Sequence, residues 1–513
     1  MKLRLSPHVL PQLRLGLHNL KPQNLTPGED RLRYATGVVQ LLRTLASRGR
    51  LDDARRVRDE VPFGPNLVLW NDEADGIDKL EELPELANAL TFDPDELGVL
   101  LRDGRIRDDA QMAYLPSGAS TPELTRLVRV LHRGIERGEL LALATELDIG
   151  FDEELLDDLI ARGAIEPGEV PVPKPAAAPA IEWMGHAYVR AISPSATVWF
   201  DPFTAPRAKW TEEEQQTLFG SDVPDTFLLA GYGPTAHQVT QDELAIPQAI
   251  FITHPDTDHI DLGVISLVPP EVPIYVPASE PDRPWQVDLV QAIRATLGGD
   301  RNVIVLRHGE SVSIGDLRVT AFPFIGEFPT ALPHHWNCYL VELPDQVWAL
   351  CADSAVTEVQ VEWLRARMAA DPRPFGIMIN AIVHQRFTSG YRDTSDETTT
   401  FTRLYSWYLP PARMFDPAPM CGLPIELLHR LVKEAKLTYV YPYAHGNLPW
   451  YRMTATALHH SHVGSHSLTA FHHMEKLAIE AGARVLRLQH GVPHVANPSS
   501  PFPRRGDSGS VIE

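Results

Sequence analysis

From about residue 180 onward, short apolar runs of strand length alternate with stretches of helical length. Residues 181–189 and 196–201 read as an opening pair of strands. Later runs at 249–253, 319–327, 336–342, 346–353, 377–384 and 437–445 are rich in β-branched and aromatic residues and read as further, buried strands. Strands separated by helical segments predict an α/β layer architecture. Before residue 170 the pattern is helical. Thr26 and Pro27, followed by Glu29 and Asp30, open a helix whose apolar positions include Leu32, Val38, Leu42 and Leu45, and Gly49 supplies its stop. The stretch to about residue 117 mixes short helical and extended patterns. Residues 122–137, 140–147 and 152–162 then read as three helices, with Gly150 between the last two: a helix-turn-helix outline of winged-helix type.

These patterns divide the chain into an N-terminal α/β or helical region at 1–117 and a winged-helix-like module at 118–170. A stiff Pro/Ala linker follows at 171–180, then an α/β domain at 181–496 and a Pro/Ser/Gly-rich tail at 497–513, expected to be disordered. A length of 513 residues fits more than one core. No apolar run approaches the roughly 18 residues of a membrane helix, and the N-terminus lacks a signal-peptide core. Three cysteines, Cys338, Cys351 and Cys421, neither pair evenly nor show zinc-finger spacing, so a reducing, cytoplasmic setting is expected. A net charge of −21 argues against nucleic acid, whose phosphates it would repel. The third helix of the module, where a DNA-binding protein would place basic residues, instead carries Asp152, Glu153, Glu154, Asp157 and Asp158. That module is expected to dock protein or to be structural.

The densest chemistry follows the 249–253 strand. His254, Asp256, Asp258 and His259 fall within six residues, enough donors for His254 and Asp256 to serve one metal ion and Asp258 and His259 a second. The bland alternative is an Asp-rich turn capping the next helix, but such a turn does not require a histidine at each end. Further candidates stand where later apolar runs stop: Glu327, Asp353 and His445. His334 and His335 compete with Glu327. His384 competes with His445, with His490 behind it, or else orients a ligand or substrate together with Asn380 and Arg386. The histidines at 459, 460, 462, 466, 472 and 473 share no spacing that converges on one ion and read as surface residues.

The cluster from His254 to His259 resembles the HxHxDH signature of the metallo-β-lactamase superfamily, with Asp256 standing where the second histidine is usual. A Gly-His-Ala turn around His186 and an Asp-Pro at Asp201 after the second opening strand also resemble that superfamily, in which His186 would be structural. The resemblance implies an αββα sandwich over 181–496, with Asp353 as the carboxylate bridging two ions. Glu327, in place of the histidine of the zinc hydrolases, resembles the diiron oxygenase branch typified by the β-hydroxylase of chloramphenicol biosynthesis, which also carries a sizeable N-terminal domain. By that likeness His254, Asp256 and Glu327 hold one iron, Asp258, His259 and His445 the other. Four carboxylates suit an oxidised metal pair better than a hydrolytic zinc site, which gains from residual positive charge.

The branch implies two iron ions, O2 as co-substrate, an external electron donor, and an amino acid or related substrate, free or held on a carrier protein. Zinc or manganese hydrolysis of an ester, lactone, amide or phosphodiester, with His334 or His335 replacing Glu327, is the alternative. A metal-poor binding relative is a third reading. Neither nucleic acid nor membrane is an expected partner, and the N-terminal helical region is a candidate homodimer contact.

Overall fold

The computed structural model describes residues 2–7, 9–12, 100–103, 112–114, 121–168, 179–185, 187–203, 246–254, 259–278, 289–325, 336–380, 382–383, 422–444, 476–486 and 493–494. Two seven-stranded sheets lie at its centre. The first holds β7 (Ala180–Gly185), β8 (Tyr188–Ile192), β9 (Thr197–Phe200), β10 (Ala249–Phe251), β11 (Ile274–Val276), β12 (Val303–Val305) and β22 (Pro493–His494), in the order β12-β11-β10-β9-β8-β7-β22. The second holds β13 (Ser311–Ile314), β14 (Leu317–Pro323), β15 (Asn337–Glu342), β16 (Val347–Leu350), β17 (Phe375–Ile379), β20 (Leu437–Pro442) and β21 (Arg484–Val485), ordered β13-β14-β15-β16-β17-β20-β21.

Period-two alternation explains why both faces of both sheets are dry. Trp183, Val189, Phe200 and Phe251 from the first sheet meet Val319, Tyr339, Trp348 and Tyr441 from the second in one central core. The alternate residues point outward. Tyr188, Trp199 and Ile250 lie under α4 (Leu262–Leu267) and α5 (Leu289–Leu297), while Leu340, Ala349 and Ile377 lie under α6 (Glu358–Met368) and α7 (Ile425–Glu434). The result is the four-layer αββα sandwich expected for this domain. Helix α6 begins in a capping box formed by Thr357 and Gln360. Cys338 and Cys351 are free and buried.

The helices of the N-terminal part fall close to their expected positions: α1 (Thr121–Arg133), α2 (Arg137–Glu146) and α3 (Glu153–Ala161). Asp152 caps α3 by accepting from Leu155 N at 2.9 Å. Helix α1 stops earlier than the pattern suggests because Gly134 takes φ +77°, and a short strand, β5 (Ile135–Glu136), intervenes before α2. β5 and β6 (Ile165–Pro167) flank β1 (Lys2–Leu5), so the module takes its central strand from outside residues 118–170. Leu124, Leu127 and Leu131 belong to the same core cluster as Leu262, Ile265 and Ile293, which seats the module on the outer helices of the first sheet. Arg129 Nε also donates to Ser266 O at 3.1 Å.

Other described strands form a sheet of β2 (Val9–Gln12), β3 (Leu100–Asp103) and β4 (Met112–Tyr114), and a pair of β18 (Ile382–Val383) and β19 (Leu423–Pro424). Among the described residues no helix is long and apolar enough to cross a membrane. The opening strand expected at 181–189 is two strands, because Gly185 (φ +112°) breaks it into the antiparallel pair β7 and β8. The helix expected from Thr26, the Pro/Ala linker core, the histidines from 459 to 473 and the tail lie outside the described residues.

Candidate metal centre

Parallel strands deliver the site. β9, β10 and β11 run parallel in the first sheet, as do β16, β17 and β20 in the second, so their C-terminal ends lie at one edge of the sandwich. The residues just beyond those ends carry the polar groups: Asp201 after β9, Thr253 and His254 after β10, Asp353 after β16, Asn380 after β17 and Ala444 after β20. Asp201, Ala352 and Ala444 adopt left-handed backbone, with φ of 43°, 48° and 55°. Non-glycine residues enter that region at a cost and do so chiefly at functional sites. Three such turns at three neighbouring strand ends mark where the fold holds strain.

The buried side chains Asp201, His254 and His259 place one donor atom each within 4.8 Å of one another. Asp201 Oδ1 accepts from Thr253 N at 2.8 Å, and Oδ2 accepts from Thr253 Oγ1 at 2.6 Å and faces His259 Nδ1 at 2.8 Å. The other nitrogen of His259, Nε2, lies 3.1 Å from Asp353 Oδ2. Two donors at about 2.1 Å from one ion and at right angles to each other stand about 3 Å apart, so this spacing suits a shared cation. Asn380 Nδ2 donates to Asp353 Oδ1 and, at 2.6 Å, to Ala444 O, which ties β16 to the strand end preceding His445.

Main-chain contacts lock the same turn. Tyr443 Oη accepts from Ala352 N at 2.8 Å, and Asn380 N donates to Ala352 O at 3.1 Å. Burial by itself would push the His259 imidazole down. The carboxylates of Asp353 and Asp201 overcome it and raise the imidazole well above its usual range. The two carboxylates thus favour positive charge at this ring, which a proton on Nε2 or a divalent cation beside it would supply. A buried set of two imidazoles and two carboxylates is the chemistry of a zinc, iron or manganese site. Apolar rings close one side: Phe324 and Trp336 pack 5.0 and 5.4 Å from the His254 ring.

Of the candidate ligands, His254, His259 and Asp353 come together, and Asn380 orients Asp353 as a supporting residue. Asp256, Asp258, Glu327, His445, His384 and Arg386 lie outside the described residues, as do His334, His335 and His186. Trp336 packs on the His254 ring, and Ile325 O accepts from Ala355 N at 2.6 Å. Asp201, which the sequence pattern marks only as an Asp-Pro after a strand, joins His254 and His259 in the site.

Residues 222–371 match the Beta-lactamase superfamily domain. No curated protein matches the chain. Among solved structures, the chain resembles CmlA, a diiron beta-hydroxylase from Streptomyces venezuelae, at 17% identity and a TM-score of 0.53. That likeness covers 95% of this chain and 98% of CmlA. A mutant form of the CmlA beta-hydroxylase is similar at 15% identity and a TM-score of 0.52, over 94% of this chain and 98% of that one. Sandwich, strand-end cluster and matched segment agree: this chain carries a metallo-β-lactamase fold.

Proposed function

We propose that the chain is an O2-dependent, dinuclear non-haem iron oxygenase or oxidase acting on an amino acid or a related substrate, free or held on a carrier protein. The observation that carries the reading is the buried cluster of His254, His259, Asp353 and Asp201 at the strand ends. The likeness to a diiron beta-hydroxylase, which spans the N-terminal part as well as the sandwich, supports it. In this reading His254, Asp256 and Glu327 hold one iron, Asp258, His259 and His445 the other, and Asp353 lies between them.

Bound iron would supply oxygen activation beside a C–H or N–H bond, with electrons from an external donor. The chain's own residues do the rest. Asp201 holds the His259 ring from behind, Asn380 fixes which oxygen of Asp353 faces His259, and Phe324 and Trp336 keep water from the His254 side.

Metal analysis of protein made in iron-supplemented medium, with Mössbauer spectra, tests the reading. About two irons per chain with coupled-diiron features is the expected result. Zinc that iron cannot displace, with no O2 consumed after reduction, would move the protein to the hydrolase class. Glu327→Ala should abolish metal-dependent oxidation, whereas a hydrolase would keep much of its activity and fail on His335→Ala instead.

A further inference from the structure

Thr253 touches both the carboxylate Asp201 and a candidate ligand. Its hydroxyl lies 2.6 Å from Asp201 Oδ2 and 2.8 Å from His254 Nδ1. A hydroxyl has one proton to give, and a carboxylate offers only acceptors. The Thr253 proton therefore goes to Asp201, where the main-chain N–H of Thr253 also donates. The lone pair left on Oγ1 then accepts, so Nδ1 of His254 carries the ring proton. At His259 the same carboxylate oxygen faces Nδ1 directly at 2.8 Å while Asp353 Oδ2 faces Nε2 at 3.1 Å, so a cation taken between Nε2 and Asp353 leaves the ring proton on Nδ1 here as well. In both rings Nε2 is left as the nitrogen turned away from Asp201.

We propose that one carboxylate, Asp201, holds the ring proton on Nδ1 of both histidines, directly at His259 and through Thr253 Oγ1 at His254, which makes Thr253 a positioning residue of the metal centre. The proposal rests on the metal-binding reading above, because a ring can ligate through Nε2 only if that nitrogen does not hold the proton. Partners of this kind typically contribute 10–100-fold to metal affinity. A threonine serving only the turn would stabilise the fold and leave the tautomer of His254 alone.

The test uses the full-length chain with 15N-labelled histidine, in wild-type, Thr253→Val and Thr253→Ser forms. His254 is assigned by its loss in His254→Gln, and Zn2+ affinity is read by chelator competition. In the wild type His254 should show the Nδ1–H tautomer. Thr253→Val keeps the shape and removes the hydroxyl, so it should shift His254 toward the Nε2–H form and weaken Zn2+ about 10–100-fold. Thr253→Ser should restore both, and all three should unfold cooperatively. An unchanged tautomer in Thr253→Val overturns the proposal, whatever happens to affinity. A tautomer that shifts in a chain whose wild type binds no Zn2+, iron or manganese would sustain the relay and remove the metal reading instead.

Discussion

Replacing Asn380 by alanine removes a side-chain amide that is fully buried and donates twice, to Asp353 Oδ1 and, at 2.6 Å, to Ala444 O. The hydrogen bond to the carboxylate is worth about 1.5–3 kcal/mol and the one to the carbonyl about 0.5–1.5 kcal/mol. Together they predict a loss of about 2–4.5 kcal/mol, which for a domain of this size is a fall in melting temperature of about 3–7 °C. The main-chain bond from Asn380 N to Ala352 O survives the change, so the turn should still form. Asp353 would lose its fixed orientation, and metal affinity should drop about 10–100-fold.

Thermal unfolding with chelator and with excess Zn2+ or Mn2+ separates the two effects. Asn380→Asp sharpens the test, since it sets a second carboxylate against Asp353. That variant should be worse than alanine under chelator and should recover with excess cation, whose charge offsets the repulsion. An Asn380→Ala protein that melts and binds metal like the wild type would refute the assignment of Asn380 as the support of Asp353.

Two further expectations concern the frame around the site. A Cβ at Gly376 would stand 2.5 Å from the buried Trp348 ring, which also stacks on Tyr439. Gly376→Ala should therefore cost about 1–3 kcal/mol in urea unfolding, and adding Trp348→Leu should recover part of it through coupling between the two positions. Arg301, 1% exposed, donates at 3.0 Å to Pro269 O and Ile265 O at the end of α4. Arg301→Met would strip these carbonyls of a charged donor and should destabilise by about 2–4 kcal/mol, while Arg301→Lys, lacking the planar fork, should restore only part. An unchanged melting temperature in Arg301→Met would contradict the capping role.

Local pattern was enough for much of this chain. Short apolar runs of strand length announced β9, β10, β16, β17 and β20. Asp152 and Gly150 placed the start of α3, and the crowding of His254 and His259 after an apolar run marked the chemistry. Asp353 stood out in the same way, as the polar residue where a buried run ends, whereas Asn380 lay inside the run expected at 377–384 and only the end of β17 at Ile379 brings it to the site. Each of these signals lies within a few residues of sequence, the range over which side-chain periodicity and capping operate.

The partners were a different matter. Asp201 reaches Thr253 across 52 residues, and His259 reaches Asp353 across 94. Those contacts exist because parallel strands bring their C-terminal ends to one edge, and nothing in either segment encodes the other's distance. The break at Gly185 and the insertion of β1 between β5 and β6 are likewise choices of sheet pairing. A strand's own sequence determines that it will pair and which face it buries. Which neighbour it takes depends on the register and layer packing of the whole sandwich, so only the tertiary structure could turn two histidines and two distant aspartates into one buried, charge-selecting site.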